Sequence, residues 1–110
     1  MKVIQWHGDS KKVIGRFPED VRKPIGIALH IAQMGGKAPY AKPLKGYNAV
    51  GVFEIVADDT GNAYRAVYAV KIGDVLHVLH AFQKKAKKGI ATPKAELNII
   101  DSRLKKASGK

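Results

Sequence analysis

The rhythm of apolar and polar positions changes several times along this chain, and each change marks an element. Lys2 to His7 alternates, with Val3 and Gln5 on one face and Ile4 and Trp6 on the other, which predicts a short strand. Asp9 or Ser10 is placed to cap a short helical segment carrying Val13 and Ile14. Phe17-Pro18-Glu19-Asp20 then opens a longer helix, with proline and acids in its first turn. Its apolar positions, Val21, Pro24, Ile25, Ala28, Leu29 and Ala32, fall three and four apart and form one buried stripe. Pro24 interrupts that stripe. An interior proline costs roughly 3 kcal/mol, so a kink or an early end to the first turn is expected there. Met34-Gly35-Gly36 terminates the helix, and His30 lies off the stripe, on the surface.

Lys37 to Asn48 has the composition of a loop, and Ala49 to Ala57 alternates as a strand before a turn at Asp58–Asn62. From Tyr64 to Phe82 the alternation is longest. Val67, Tyr68, Val70 and Ile72, then Val75, Leu76, Val78, Leu79 and Phe82, read as two strands around Gly73-Asp74. Gly first in a two-residue loop suits a type II′ turn. That turn sets Ile72 opposite Val75, Val70 opposite His77, Val67 opposite His80 and Arg65 opposite Phe82. Arg65, Val67, Ala69 and Lys71 then share a face with Leu76, Val78, His80 and Phe82, and Lys84 extends it. Arg65, His80 and Lys84 gather at one end.

Gly89 breaks the chain, and Thr92-Pro93 begins a final helix as cap and first residue. Leu97, Ile100 and Leu104 make its apolar stripe, with Lys94, Arg103, Lys105 and Lys106 in water. The pattern predicts one α+β domain over residues 1–110: an antiparallel sheet, with two N-terminal helices and a C-terminal helix packed on one face of it.

Composition sharpens this. The chain has 110 residues, 45% of them hydrophobic, and no cysteine, which excludes disulfides and thiolate chemistry. No stretch has the apolar length of a membrane span or a signal-peptide core, so a cytoplasmic protein is expected. Net charge is +11, and from Lys84 onward nine Lys/Arg face only Glu96 and Asp101, leaving +7 there. Such a surplus favours a polyanionic partner or an acidic protein. Lys84 to Lys88 and Arg103 to Lys106 are expected to form that basic surface. In the loop, Lys37, Lys42 and Lys45 alternate with Tyr40 and Tyr47. Either the rings stack on RNA bases while the ammonium groups meet phosphate, or the tyrosines pack on the sheet edge.

Several chemistries are excluded. His77 and His80, three apart on a strand, are expected on opposite faces and so cannot share a metal. Gly35-Gly36-Lys37 lacks the strand and helix of a phosphate loop, and the serines sit at caps and the tail. Phosphodiester chemistry on fixed cations remains. A guanidinium offers forked donors to a phosphorane, and His80, with an ordinary pKa of about 6.5, can exchange protons near neutrality.

YRAVYAV followed by VLHAFQKKAKK, with KPLKG upstream, resembles the phage-derived toxins of the RelE/HigB superfamily. The likeness runs from the first strand to the last helix. It implies a RelE-like fold and the toxin half of a type II toxin–antitoxin pair, a ribosome-dependent and metal-independent mRNA endonuclease without a cofactor. It implies as partners a cognate helix-turn-helix antitoxin, the ribosome and mRNA. Arg65 matches the superfamily's catalytic arginine, and Lys84 and Lys85 match the basic pair after the last strand, with His80 beside them. RNA contacts are expected from Lys37, Lys42, Lys45, Lys71, Lys87, Lys88 and Arg103. Glu54 stands on the strand where RelE carries lysines, and RelE's C-terminal tyrosine has no clear match. The alternatives are a ParE-like toxin that poisons gyrase and a catalytically silent nucleic-acid-binding protein from a prophage.

Overall fold

The structure, a computed structural model, describes residues 1–47, 50–84 and 92–109. Its elements are β1 (Val3–Trp6), α1 (Ser10–Gly15), α2 (Glu19–Gln33), β2 (Ala41–Pro43), β3 (Val52–Asp59), β4 (Asn62–Ala69), β5 (Val75–Lys84) and α3 (Lys94–Ala107). The strands form one sheet in the order β1-β5-β4-β3-β2. The α+β class is as expected, but the sheet is mixed: β1 runs parallel to β5, with Ile4 beside Leu76 and Trp6 beside Val78. A parallel pair needs a long crossover, and α1, α2 and the strands that follow supply it.

The helices also divide between the two faces. Val21, Ile25, Ala28, Leu29 and Ala32 of α2 pack with Ile55, Ala66, Tyr68, Leu76 and Val78 on one face. Ile100 of α3, with Leu97 and Leu104, packs with Val52, Val67, Leu79 and Phe82 on the other. The expectation of helices on a single face is therefore corrected. β4 and β5 are apolar on both sides, and such strands must be covered twice to keep their side chains from water.

α2 runs through Pro24 as one element. The carbonyl left without its usual donor belongs to Asp20, in the exposed first turn, which is open to solvent. The Pro24 carbonyl itself accepts from Tyr40 Oη at 2.7 Å. At the other end Gly36 N donates to Ile31 O and Gly35 N to Ala32 O, a Schellman closure with Gly35 at φ 92°. Thr60 and Gly61, both at positive φ, make the two-residue turn between β3 and β4, as a type I′ turn requires.

β4 and β5 meet as predicted at one end and differently at the other. Arg65 faces Phe82 and Val67 faces His80, but Tyr68 faces Val78 and Ala69 faces His77. Leu79 is an extra residue, a bulge. The strands are joined by residues 70–74 rather than by a two-residue turn. The longer connection shifts the register by one and the bulge shifts it back, so the Arg65 end comes out as expected while Val70 and Ile72 do not pair across the turn. Lys71 consequently leaves the sheet, and its stem fills the space beside Gly51, where a Cβ would come within 2.7 Å of its Cγ.

Candidate functional site

The bulge decides what the α3 face carries. Because Leu79 is doubled against one position of β4, His77 and His80 pair with Ala69 and Val67, two residues apart on one face. The expectation that they point to opposite faces is corrected, and each ring has its own partners. His77 Nε2 donates to Ile72 O at 3.1 Å, so its Nδ1 is left to accept from His7 Nε2 at 3.0 Å. Among the described residues no three His, Asp or Glu side chains are grouped to hold a metal ion.

His80 lies at the centre of a second network. Arg103 Nη1 can only donate, and it reaches His80 Nδ1 at 3.2 Å. The imidazole proton therefore sits on Nε2, which donates to Glu96 Oε1 at 2.7 Å. The same Nη1 donates to the carbonyl of Leu79, the bulged residue, at 2.9 Å, and Nη2 donates to Asp9 Oδ1 at 3.1 Å. The Arg103 guanidinium holds the Asp9 carboxyl below the usual carboxylate range. Arg103, expected in water, is instead drawn down onto the sheet with its side chain 20% exposed. Burial first, then the nearby His77, Arg103 and Lys106, holds His7 below its ordinary value.

The other end of this face carries the predicted cations. Arg65 lies opposite Phe82, and Lys84 lies opposite Ala63, so the two cations are diagonal neighbours across β4 and β5. In that relation Cα atoms stand about 7–8 Å apart, within reach of long side chains. Arg65 Nη1 donates to Asp58 Oδ1 and to Tyr64 O, each at 2.9 Å. Phe82 stacks on His80 with ring centroids 5.3 Å apart, joining the cationic end to the Arg103 network.

A carboxylate lies on the same face, on β3. Lys42 pairs with Glu54, Glu54 with Val67, and Val67 with His80, one row across four strands. Glu54 is buried at 8% exposure, and its Oε2 accepts from Thr92 Oγ1 at 2.9 Å. Thr92 was expected to cap α3; Pro93 holds the cap position instead, and the threonine hydroxyl serves the sheet. Sequence reasoning singled out Glu54 only as a departure and missed Asp9, His7 and Glu96. An acid at an apolar-face position of a strand was the available signal.

Tyr40 and Tyr47 do not face solvent with the lysines around them. Tyr40 packs against the α2 core, and Tyr47 packs under α3, where its hydroxyl donates to Asp101. Burial and that carboxylate push Tyr47 up to about 12. Both tyrosines of this loop are thus packed rather than displayed. Lys37 Nζ donates to Ala41 O at 2.7 Å, while Lys42 and Lys45 stay exposed. Lys85, Lys87 and Lys88 lie outside the described residues.

The face thus defines a class, a small α+β protein with a basic strand end beside a buried polar network. Residues 12–105 match the family described as phage-derived protein Gp49-like, and the chain belongs to that family. No match is found among curated proteins. No described helix is long and apolar enough to cross a membrane.

Proposed function

We propose that this chain is the toxin of a type II toxin–antitoxin pair and cleaves translated mRNA at the ribosome. The observation that carries the reading is the diagonal pairing of Arg65 and Lys84 on one face. Membership of a phage-derived family and the net charge of +11 support it. In the proposed reaction an RNA 2′-oxygen attacks the adjacent phosphorus, the bond to the 5′-oxygen breaks, and the departing oxygen takes a proton from water. Arg65 and Lys84 neutralise the charge that builds on the phosphorane. Glu54, on the same face, takes the 2′-hydroxyl proton in this reading, which requires its bond from Thr92 to open and the RNA to reach a carboxylate that is 8% exposed. His80 has both ring nitrogens engaged, so proton transfer by it requires release from Glu96 or Arg103. Its standing role is to hold Phe82 and α3 in place. The proposed regulatory partner is a helix-turn-helix antitoxin that covers the cationic surface.

A second reading, a ParE-like poison of gyrase, is favoured by one observation: Asp58 already holds Arg65, as in a binding surface rather than a catalytic one. The test is cleavage of a translated message in a purified translation system. Cleavage by the wild type that is lost in Arg65→Ala and Glu54→Gln supports the first reading. Growth arrest with no cleavage, and with inhibited DNA supercoiling, replaces it with the second.

A further inference from the structure

The sheet has two edges, and they end differently. β2, at one edge, is three residues long, and its outer side is blocked. Ala41 N donates to Ala38 O, Lys37 Nζ donates to Ala41 O at 2.7 Å, and Pro43 has no N–H to offer. A short strand closed by lysine and proline is a poor template for another strand.

β1, at the other edge, is open. His7 N donates to Val78 O, toward β5, whereas Lys2 N donates to Gln33 O, away from it. In a parallel pair one residue turns both N–H and C=O to its neighbour, and the next turns both away. Val3 and Gln5 therefore bond in the direction of His7, and Ile4 and Trp6 turn their backbone groups outward with Lys2. Gln33 Nε2 also donates to Lys2 O at 2.8 Å, so the end of α2 fills the Lys2 place. Among the described residues nothing bonds the outward N–H and C=O groups of Ile4 and Trp6.

We propose that this edge of β1 is a strand-docking site for an acidic, extended segment of a partner protein. Two outward residues offer four backbone bonds, and an added strand takes its affinity from such bonds. Val3, 70% exposed, lies on one side of the edge, and half-buried Ile4 and Trp6 lie on the other. Both sides thus hold apolar surface for the alternate side chains of an incoming strand.

α2 leaves room for it. Arg22, Gly26, Leu29 and Gln33 follow one another three and four apart, and Gln33 touches β1, so this line of the helix turns toward the edge. Gly26 is exposed in the helix interior, and no described atom lies within 4 Å of where its Cβ would stand. Internal packing does not require glycine there, and glycine weakens the helix. The missing side chain opens a channel beside β1 in which a partner's chain can come close. Charge selects the occupant. Lys11 Nζ lies 5.9 Å from the centre of the Trp6 ring, and Arg22 is exposed on the α2 line. A net charge of +11 attracts an acidic segment and repels a second copy of this chain. The site stands on the two edges of the sheet and is independent of whether the chain cleaves RNA.

The test is amide hydrogen exchange by NMR on the full chain, with a short capped peptide of alternating valine and glutamate as probe. In the unbound protein the Ile4 and Trp6 amides are expected to exchange at least tenfold faster than those of Gln5 and His7. Saturating peptide is expected to protect Ile4 and Trp6 at least tenfold, and the same peptide with lysine for glutamate to bind at least tenfold more weakly. Gly26→Gln, which fills the channel with a better helix former, is expected to melt no lower than the wild type and to bind the peptide at least fivefold more weakly. Ile4 and Trp6 amides already protected in the unbound monomer overturn the proposal, as do amides that the peptide leaves unprotected. Equal binding of the lysine peptide, or unchanged binding by folded Gly26→Gln, overturns it too. Protection that rises with protein concentration, alongside a dimer in sedimentation, gives the edge to a second copy and overturns it as well.

Discussion

Thr92 donates its hydroxyl to the carboxylate of Glu54 at 2.9 Å, tying the approach to α3 onto the middle of β3. Glu54 is 8% exposed, so this bond stands in for water that the carboxylate has lost. Thr92→Val keeps the shape and removes the donor. Leaving a buried acceptor unmatched costs about 1–3 kcal/mol. Urea unfolding is expected to show a lower midpoint with an unchanged slope, and Thr92→Ser is expected to recover most of the difference.

Arg65 and Asp58 give a prediction that separates charge from shape. The Asp58 carboxylate is 63% exposed while Arg65 is 13% exposed, so the arginine is the packed partner. Truncating Arg65 removes packing as well as charge, and Arg65→Lys is the better probe because it keeps most of the stem. Arg65→Lys is expected to fold normally and to lose most cleavage, since a point charge lacks the fork. Loss of one preorganised donor amounts to about 3–4 kcal/mol in the transition state, a hundredfold or more in rate. Asp58→Asn, which frees the guanidinium from its carboxylate, is expected to cleave at least as fast as the wild type.

Gly8 and Gly35 both have positive φ, 54° and 92°, but only Gly8 has something against it. A Cβ there would lie 2.3 Å from Arg103 Nη2, whereas nothing lies within 4 Å at Gly35. Alanine at either position carries backbone strain of roughly 1–2 kcal/mol. Gly8→Ala is expected to cost clearly more, because it also pushes Arg103 away from Asp9 and His80. Paired melting curves check this, and the excess should vanish in an Arg103→Ala background.

The surplus of +11 gives the salt prediction. Affinity for single-stranded RNA is expected to fall with added salt, with a log–log slope of about 0.7 per phosphate contacted. Lys84→Gln and Lys42→Gln, each removing one exposed or half-exposed cation, are expected to flatten it stepwise. Filter binding across a salt series measures the slope directly, and a flat series would remove the electrostatic basis for RNA binding.

Local periodicity was enough to place the helices and most of the strand residues, but not β2 (Ala41–Pro43), which falls in the stretch expected to be a loop, nor the end of β4 at Ala69 rather than Ile72. α2 is legible from Val21 to Ala32 because the 3.6-residue period needs no partner to be recognised. The charge of the chain's last quarter is likewise a property of composition alone. The Arg65–Phe82 pairing was legible too, although the route to it differs: a longer connection and a bulge cancel where a tight turn had been expected.

Tertiary structure decided the rest. Alternation along one strand cannot show that Leu79 is doubled against β4, because a bulge is a relation between two strands. That single residue brings His77 and His80 to one face. Arg103 looked like a solvent cation because it falls off the Leu97, Ile100 and Leu104 stripe of its helix. It is drawn inward by Asp9, 94 residues away, and by the Leu79 carbonyl that the bulge presents. His7 meets His77 across a separation of 70, and only the parallel placement of β1 beside β5 allows it. Such contacts form because buried donors and acceptors must find partners wherever the fold sets them, and sequence spacing holds no record of that distance.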